Sequence, residues 1–148
     1  MNRLFLLSSL FLILGCQVWQ NVEVLRVDGF SDLSISLEGM SGEVEVVVKN
    51  PNGFNINAFE ADVDVFIGAE QIGTITLPRD QVLVAGSESR LVMDIQSHPG
   101  ALKNILQQQL LQVIGGASIE LRASGSVTGK AFGLRVVIPV ESSEQINL

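Results

Sequence analysis

From Glu43 to Pro78 the chain reads EVEVVVKNPNGFNINAFEADVDVFIGAEQIGTITLP, and two runs of alternation within it constrain the fold most tightly. In the first, Val44, Val46 and Val48 fall on one side and Glu43, Glu45 and Lys49 on the other. In the second, Phe59, Ala61, Val63, Val65 and Ile67 oppose Glu60, Asp62 and Asp64. Successive side chains of a strand point to opposite faces, so a clean period of two means one face buried and one wet. The break between the runs is Asn50-Pro51-Asn52-Gly53. Pro51 has no N–H to give a ladder and holds Asn50 extended, while Asn52 and Gly53 tolerate positive φ. This motif is read as a structural turn, with a ligand or partner site as the minor alternative.

The same period returns on both sides. Val22 to Leu37 alternates in two pieces around Asp28-Gly29, giving one kinked strand or two short ones, with Leu25, Val27, Leu33, Ile35 and Leu37 inward. Ile72 to Leu77, Gln81 to Ala85 and Leu91 to Ile95 are short strands. Ile119 to Thr128 and Phe132 to Val140 close the chain, the last with Phe132, Leu134, Val136, Ile138 and Val140 facing in. Only SHPGALKNILQQQLLQVIGG, from Ser97, changes period. Leu102, Ile105, Leu106, Leu110 and Val113 keep helical spacing, Ser97 or His98 with Pro99 opens the segment, and Gly115-Gly116 ends it. One helix of three to four turns is expected. Seven or eight strands joined by short turns with one helix imply a mainly β, antiparallel β-sandwich, the helix plugging one end or crossing between sheets. In that helix Leu111 and Ile114 widen the apolar stripe beyond a core face. Leu106, Leu110, Leu111 and Ile114 therefore also suit a groove for an amphiphile or a partner surface, although packing against the core is the commoner use of such a stripe.

The first fifteen residues are not part of that domain. Arg3 is a short positive n-region, and Leu4 to Leu14 is an apolar h-region too short to span a bilayer, which needs about twenty residues. Ile13-Leu14-Gly15-Cys16 resembles a bacterial lipoprotein cleavage box. Cys16 is the only cysteine of the 148-residue chain, so it has no internal disulfide partner. Residues 1–15 are expected to be a lipoprotein signal peptide and Cys16 the lipidated first residue of the mature chain. Residues 16–21 would form the tether, 22–141 the domain and 142–148 a loose polar tail. One acyl chain anchors a protein only marginally, whereas the two or three carried by such a cysteine, palmitate among them, hold it firmly. Gln17 after the cysteine resembles the outer-membrane sorting of Gram-negative lipoproteins. The expected location is the bacterial cell envelope, lipid-anchored to the outer membrane and facing the periplasm.

At Val46 to Pro78 the sequence resembles the LEA type 2 domain, also called the WHy (water stress and hypersensitive response) domain. The resemblance rests on Asn50-Pro51-Asn52 after a valine-rich strand, on Phe54 and Ile56, and on an alternating strand leading to Gly68 and Ile72-Gly73. It extends over roughly residues 20 to 141. It implies an Ig- or fibronectin-III-like sandwich of about seven strands with one α-helix, and a non-enzymatic role linked to desiccation and other stress. It carries over no catalytic residue.

Composition excludes several function classes. The net charge is −7, and because Arg3 is the only charged side chain of the first fifteen residues, the remainder carries −8. Such a domain is repelled by phosphate backbones, so no nucleic-acid partner is expected. His98 is the only histidine, which with no second cysteine makes a zinc site untenable. The rows Glu43/Glu45 and Glu60/Asp62/Asp64 project in parallel about 6.5–7 Å apart and lack the curved loop that calcium needs. No nucleophile elbow or phosphate-binding glycine loop occurs. The expectation is a non-catalytic protein without cofactor or metal, held to a membrane through Cys16. It would act in envelope stress protection or as an interaction module. The alternative is a lipid or amphiphile carrier with a groove between the sheets and the helix.

Overall fold

The structure, a computed structural model, describes residues 19–105, 107 and 119–146. Eight strands follow in order: β1 (Glu23–Ile35), β2 (Met40–Lys49), β3 (Ile56–Ile67), β4 (Glu70–Thr76), β5 (Gln81–Leu83), β6 (Glu88–Ser97), β7 (Ile119–Ala131) and β8 (Leu134–Ile146). Every pairing is antiparallel, and the spatial order is β1-β2-β6-β4-β3-β7-β8, with β5 added beside β3. The mainly β, antiparallel expectation holds. The separate sheets of an Ig-like sandwich are not how the hydrogen bonds run, since they join all eight strands in one sheet. The sheet instead curls into a half-barrel, so that β2 and β6 face β3, β7 and β8 across a shared apolar interior.

Two glycines let neighbouring strands of the sheet approach closely. Gly73 of β4 pairs with both Val65 of β3 and Ser97 of β6, where the two halves join. A Cβ there would press on the Gln96 carbonyl and lie 2.7 Å from the Ser97 Cα. Gly125 of β7 stands in the same relation to β3, against the Asp62 carbonyl and 2.6 Å from the Val63 Cα. Backbones approach this closely only where one residue has no side chain. Gly125→Ala is expected to lower unfolding free energy by about 2–3 kcal/mol, the cost of overpacking a rigid contact. Urea unfolding measures it, and a loss below about 0.5 kcal/mol would show that the sheet absorbs the methyl without cost.

Bulges shift the phase of two strands and move residues that alternation places elsewhere. In β3 an irregularity between Ala58 and Glu60 puts Ile56 and Ala58 inside, then Ala61, Val63 and Val65. Phe59 is thereby turned outward instead of inward, with the Lys130 ammonium 5.3 Å from its ring centre. β1 is the long kinked strand, with three such irregularities along β2 and Asp32 at φ 49°. Val24 and Val27, rather than Leu25 and Val27, line the interior. Val47 breaks the β2 pattern by being buried on the outer face. Its cross-strand partners are Arg26 and Arg90, whose ion pairs with Asp28 and Glu45 run across that face. Arginine stems cover apolar surface well while their heads stay wet.

The two ends of the curl differ. At one end helical residues begin at Ala101, later than the Pro99 start expected, because Gly100 takes a left-handed φ of 76° and His98 N–H still donates to the Ile72 carbonyl. Ser97 does not cap the helix, since its hydroxyl accepts from the Met40 N–H at 2.6 Å. Ala101 and Ile105 pack on Val65, Ile72 and Ile95 and plug that end. At the other end Phe132-Gly133 forms a two-residue hairpin turn between paired Ala131 and Leu134, with φ 52° and 74°. Two positive φ values define the I′ turn, whose usual first residue is Asn, Asp or Gly. Phenylalanine there costs roughly 1–2 kcal/mol, and Phe132 and Leu134 are exposed rather than inward as alternation implied. From Ser142, residues expected to form a loose tail continue β8 as far as Ile146, paired with Ile119.

Candidate functional site

The inward residues of the curl form one continuous apolar cluster and leave space within it. They surround an apolar cavity of about 390 Å³. Val44 and Val46 of β2 and Met93 of β6 form one wall. Val63 of β3, Ala123 of β7 and Ile138 of β8 form the facing wall, and Leu102 of the helical segment contributes near the plugged end. Among the described lining residues Ser142 is the one with a polar side chain. Such a site cannot abstract a proton, hold a metal or bind an anion. It can enclose hydrocarbon. Its volume lies within the roughly 300–1,000 Å³ of small-molecule sites. An apolar chain placed there would bury hydrocarbon surface, at about 25 cal/mol per Å² removed from water.

The sheet is open on one side, because β1 and β8 are the two ends of the strand order and no pairing joins them. Val24 and Val27 on β1 and Val140 and Ser142 on β8 line the cavity from these edges. Val24 and Val27 are also exposed. The interior is thus reached laterally, along the seam between the edges.

Asn50, Pro51 and Asn52 lie outside this cavity and hold the opposite end from the helix together. Asn50 is wholly buried, at 0% exposure. Its Nδ2 donates to the carbonyls of Phe54 at 2.8 Å and Leu83 at 3.1 Å. Its Oδ1 accepts from the Asn52 N–H at 3.1 Å and from Asn52 Nδ2 at 3.0 Å. An amide offers two donors and two acceptor positions, and all four are used internally. Asn52 carries the link onward, donating through Nδ2 to the Gln20 carbonyl at 2.7 Å and accepting from the Gln20 N–H at 2.9 Å. The Asn50 N–H donates to the Ser87 carbonyl, and the Asn52 carbonyl accepts from Gly86. The positive φ that Asn52 and Gly53 would tolerate is adopted by neither; Gly86 takes it instead.

The other sequence-derived candidates fall elsewhere. Cys16, Leu106, Leu110, Leu111 and Ile114 lie outside the described residues. The acidic residues form an outer surface, with Arg90 pairing Glu45 and Arg135 pairing Glu60. Among the described residues no group of three or more His, Cys, Asp or Glu could hold a metal ion, and no helix is long and apolar enough to cross a membrane.

The family model for late embryogenesis abundant protein, LEA_2, matches residues 45–144, from within β2 to near the end of β8. The chain belongs to the LEA_2 family. The buried Asn50-Pro51-Asn52 turn and the seam strand β8 both lie within that match. Solved structures share this chain's fold. A solution structure from Arabidopsis thaliana is 20% identical with a TM-score of 0.65, over 86% of this chain and 80% of that one. A solution structure described as that of a late embryogenesis abundant (LEA) protein is 19% identical with a TM-score of 0.55, over 86% and 71%. A crystal structure of a protein from Archaeoglobus fulgidus is 9% identical with a TM-score of 0.57, over 87% and 96%. No curated protein sequence matches this LEA_2 chain.

Proposed function

We propose that this LEA_2 chain is a non-catalytic, lipid-anchored protein of the bacterial cell envelope that carries the hydrocarbon part of a lipid or other amphiphile inside its curled sheet. The observation that carries the reading is the 390 Å³ apolar cavity with its lateral seam. An acyl chain can enter between β1 and β8 without crossing a polar barrier and leave its headgroup at the rim beside Ser142. Each CH₂ buried contributes about 0.8 kcal/mol. Ten of them correspond, before the costs of ordering the chain, to about 8 kcal/mol, or a micromolar dissociation constant. Titration with a fluorescent long-chain fatty acid should show saturable, one-to-one binding in the low micromolar range or tighter. Partition that rises linearly without saturation would remove the carrier reading.

The anchor would be Cys16, with the outer membrane as its site and the domain facing the periplasm. Cys16→Ser should leave the leader uncleaved or shift most of the protein out of the membrane fraction. Unchanged size and fractionation in that variant would remove the anchor. The envelope stress role associated with LEA type 2 proteins draws support from the family match and from the hydrated acidic outer rows, which would keep clients or membranes apart. If the domain binds no amphiphile, that reading stands alone.

A further inference from the structure

We propose that the end of the molecule built from Trp19, Phe54, Phe132 and Leu134 is a docking tip that seats in the interfacial layer of a phospholipid bilayer. Phe132 and Leu134 are 80% and 71% exposed, and Trp19 is 37% exposed. Phe54 joins the aromatic residues into one patch, its ring centre 6.1 Å from that of Trp19 and 5.1 Å from that of Phe132. The start of β1, the Asn50-Pro51-Asn52 loop and the β7–β8 turn all contribute, and the buried asparagines tie the first two together.

Turn preference does not account for Phe132. It occupies a left-handed position that suits asparagine or glycine, and apart from its contact with Phe54 its ring faces solvent. Strain of this kind concentrates where a side chain is used for something other than stability. The chemistry fits a bilayer surface, where tryptophan and other aromatic rings collect at headgroup depth. Lys130 and Arg135, cross-strand partners one rung behind the turn, lie over the Phe59 ring, with Arg135 also paired to Glu60, and both are exposed cations that could exchange these contacts for lipid phosphates.

The chain path selects the same end. Trp19 follows Cys16 by three residues, a span of at most roughly 10 Å. The β1–β2 turn lies at the other end of the thirteen-residue β1, about 40 Å away at strand rise. An anchor at Cys16 therefore brings only the aromatic end to the membrane, while the acidic remainder is held off an anionic surface. The direction of approach rests on the lipid-anchor reading, whereas the composition and strain of the tip do not.

The test places a single indole at either end of the full chain. Trp19 is the only tryptophan, so Trp19→Phe combined with Phe132→Trp reports on the tip, and Trp19→Phe combined with Leu37→Trp on the far turn. Trp19→Phe with Leu134→Trp is a second tip reporter should the turn variant misfold. Each protein is reconstituted with vesicles of phosphatidylethanolamine and phosphatidylglycerol bearing brominated acyl chains. Quenching at position 132 or 134 should exceed that at position 37 at least threefold. Equal or greater quenching at 37 would overturn the proposal. A parallel fractionation of Cys16→Ser separates the two readings. Release from the membrane without tip quenching in the anchored protein leaves the anchor standing and rejects the tip. Unchanged fractionation with a quenched tip rejects the anchor and upholds the tip.

Discussion

Asn50→Ala should cost about 4 kcal/mol or more of unfolding free energy, enough to leave little folded protein at 37 °C if the domain has ordinary stability. The side chain is wholly buried and makes four hydrogen bonds. Its removal strips a partner from the Phe54 and Leu83 carbonyls and from two N–H groups of Asn52. Each buried polar group left unsatisfied costs about 1–3 kcal/mol. Because the network continues to Gln20, the start of the chain should loosen as well. Asn50→Asp, nearly identical in shape, should be worse, since it turns a carboxylate oxygen toward two carbonyls in a wholly buried site. Asn52→Ala should be milder, at about 1–2 kcal/mol. Chemical denaturation gives all three values. A loss under 1 kcal/mol for Asn50→Ala would mean that the network contributes little.

Filling the cavity should abolish ligand binding while sparing the fold. Ala123→Phe projects a ring from the β7 wall and Val46→Phe one from the facing β2 wall. In a close-packed core such enlargement costs about 1–3 kcal/mol per site. Here the added ring enters existing space, so the midpoint of unfolding should hold steady or rise. Affinity for the fatty-acid probe should fall at least tenfold. The two readouts must separate for the cavity account to stand. If both variants destabilise by 2 kcal/mol or more, the walls are in contact and the space is not available to a ligand.

Much of the architecture was legible because alternation reports burial directly. The valine face of β2, the Val63–Val65 part of β3, the turn at Pro51 and the change of period after Ser97 all appear where the sequence puts them. The misplacements have a common cause in local irregularity. One extra residue at Phe59 reverses the phase of its strand with no composition that announces it, and one at Leu25 does the same in β1, where Asp28-Gly29 announces only the next irregularity. Phe132 read as an inward residue because an aromatic in a hairpin turn contradicts turn preference, and the strain is visible only in the backbone. The groove between the sheets and the helix could be raised from the sequence only as an alternative, for a deeper reason. Val44, Val63 and Ile138 alternate in the same way whether their side chains meet an opposing wall or face a space between walls. Curvature decides which, and curvature depends on close backbone contacts at Gly73 and Gly125 that alternation does not encode.

The central claim, that the curled sheet carries hydrocarbon, is tested most directly by native mass spectrometry of the full chain recovered from cells in mild detergent and released into the gas phase. The account predicts a population heavier than the protein by one lipid or fatty acid, beyond the covalent acyl groups. Collisional activation should remove that mass, and Ala123→Phe should lack it. A spectrum containing only the covalently modified protein, unchanged after incubation with fatty acid or phospholipid, would contradict it.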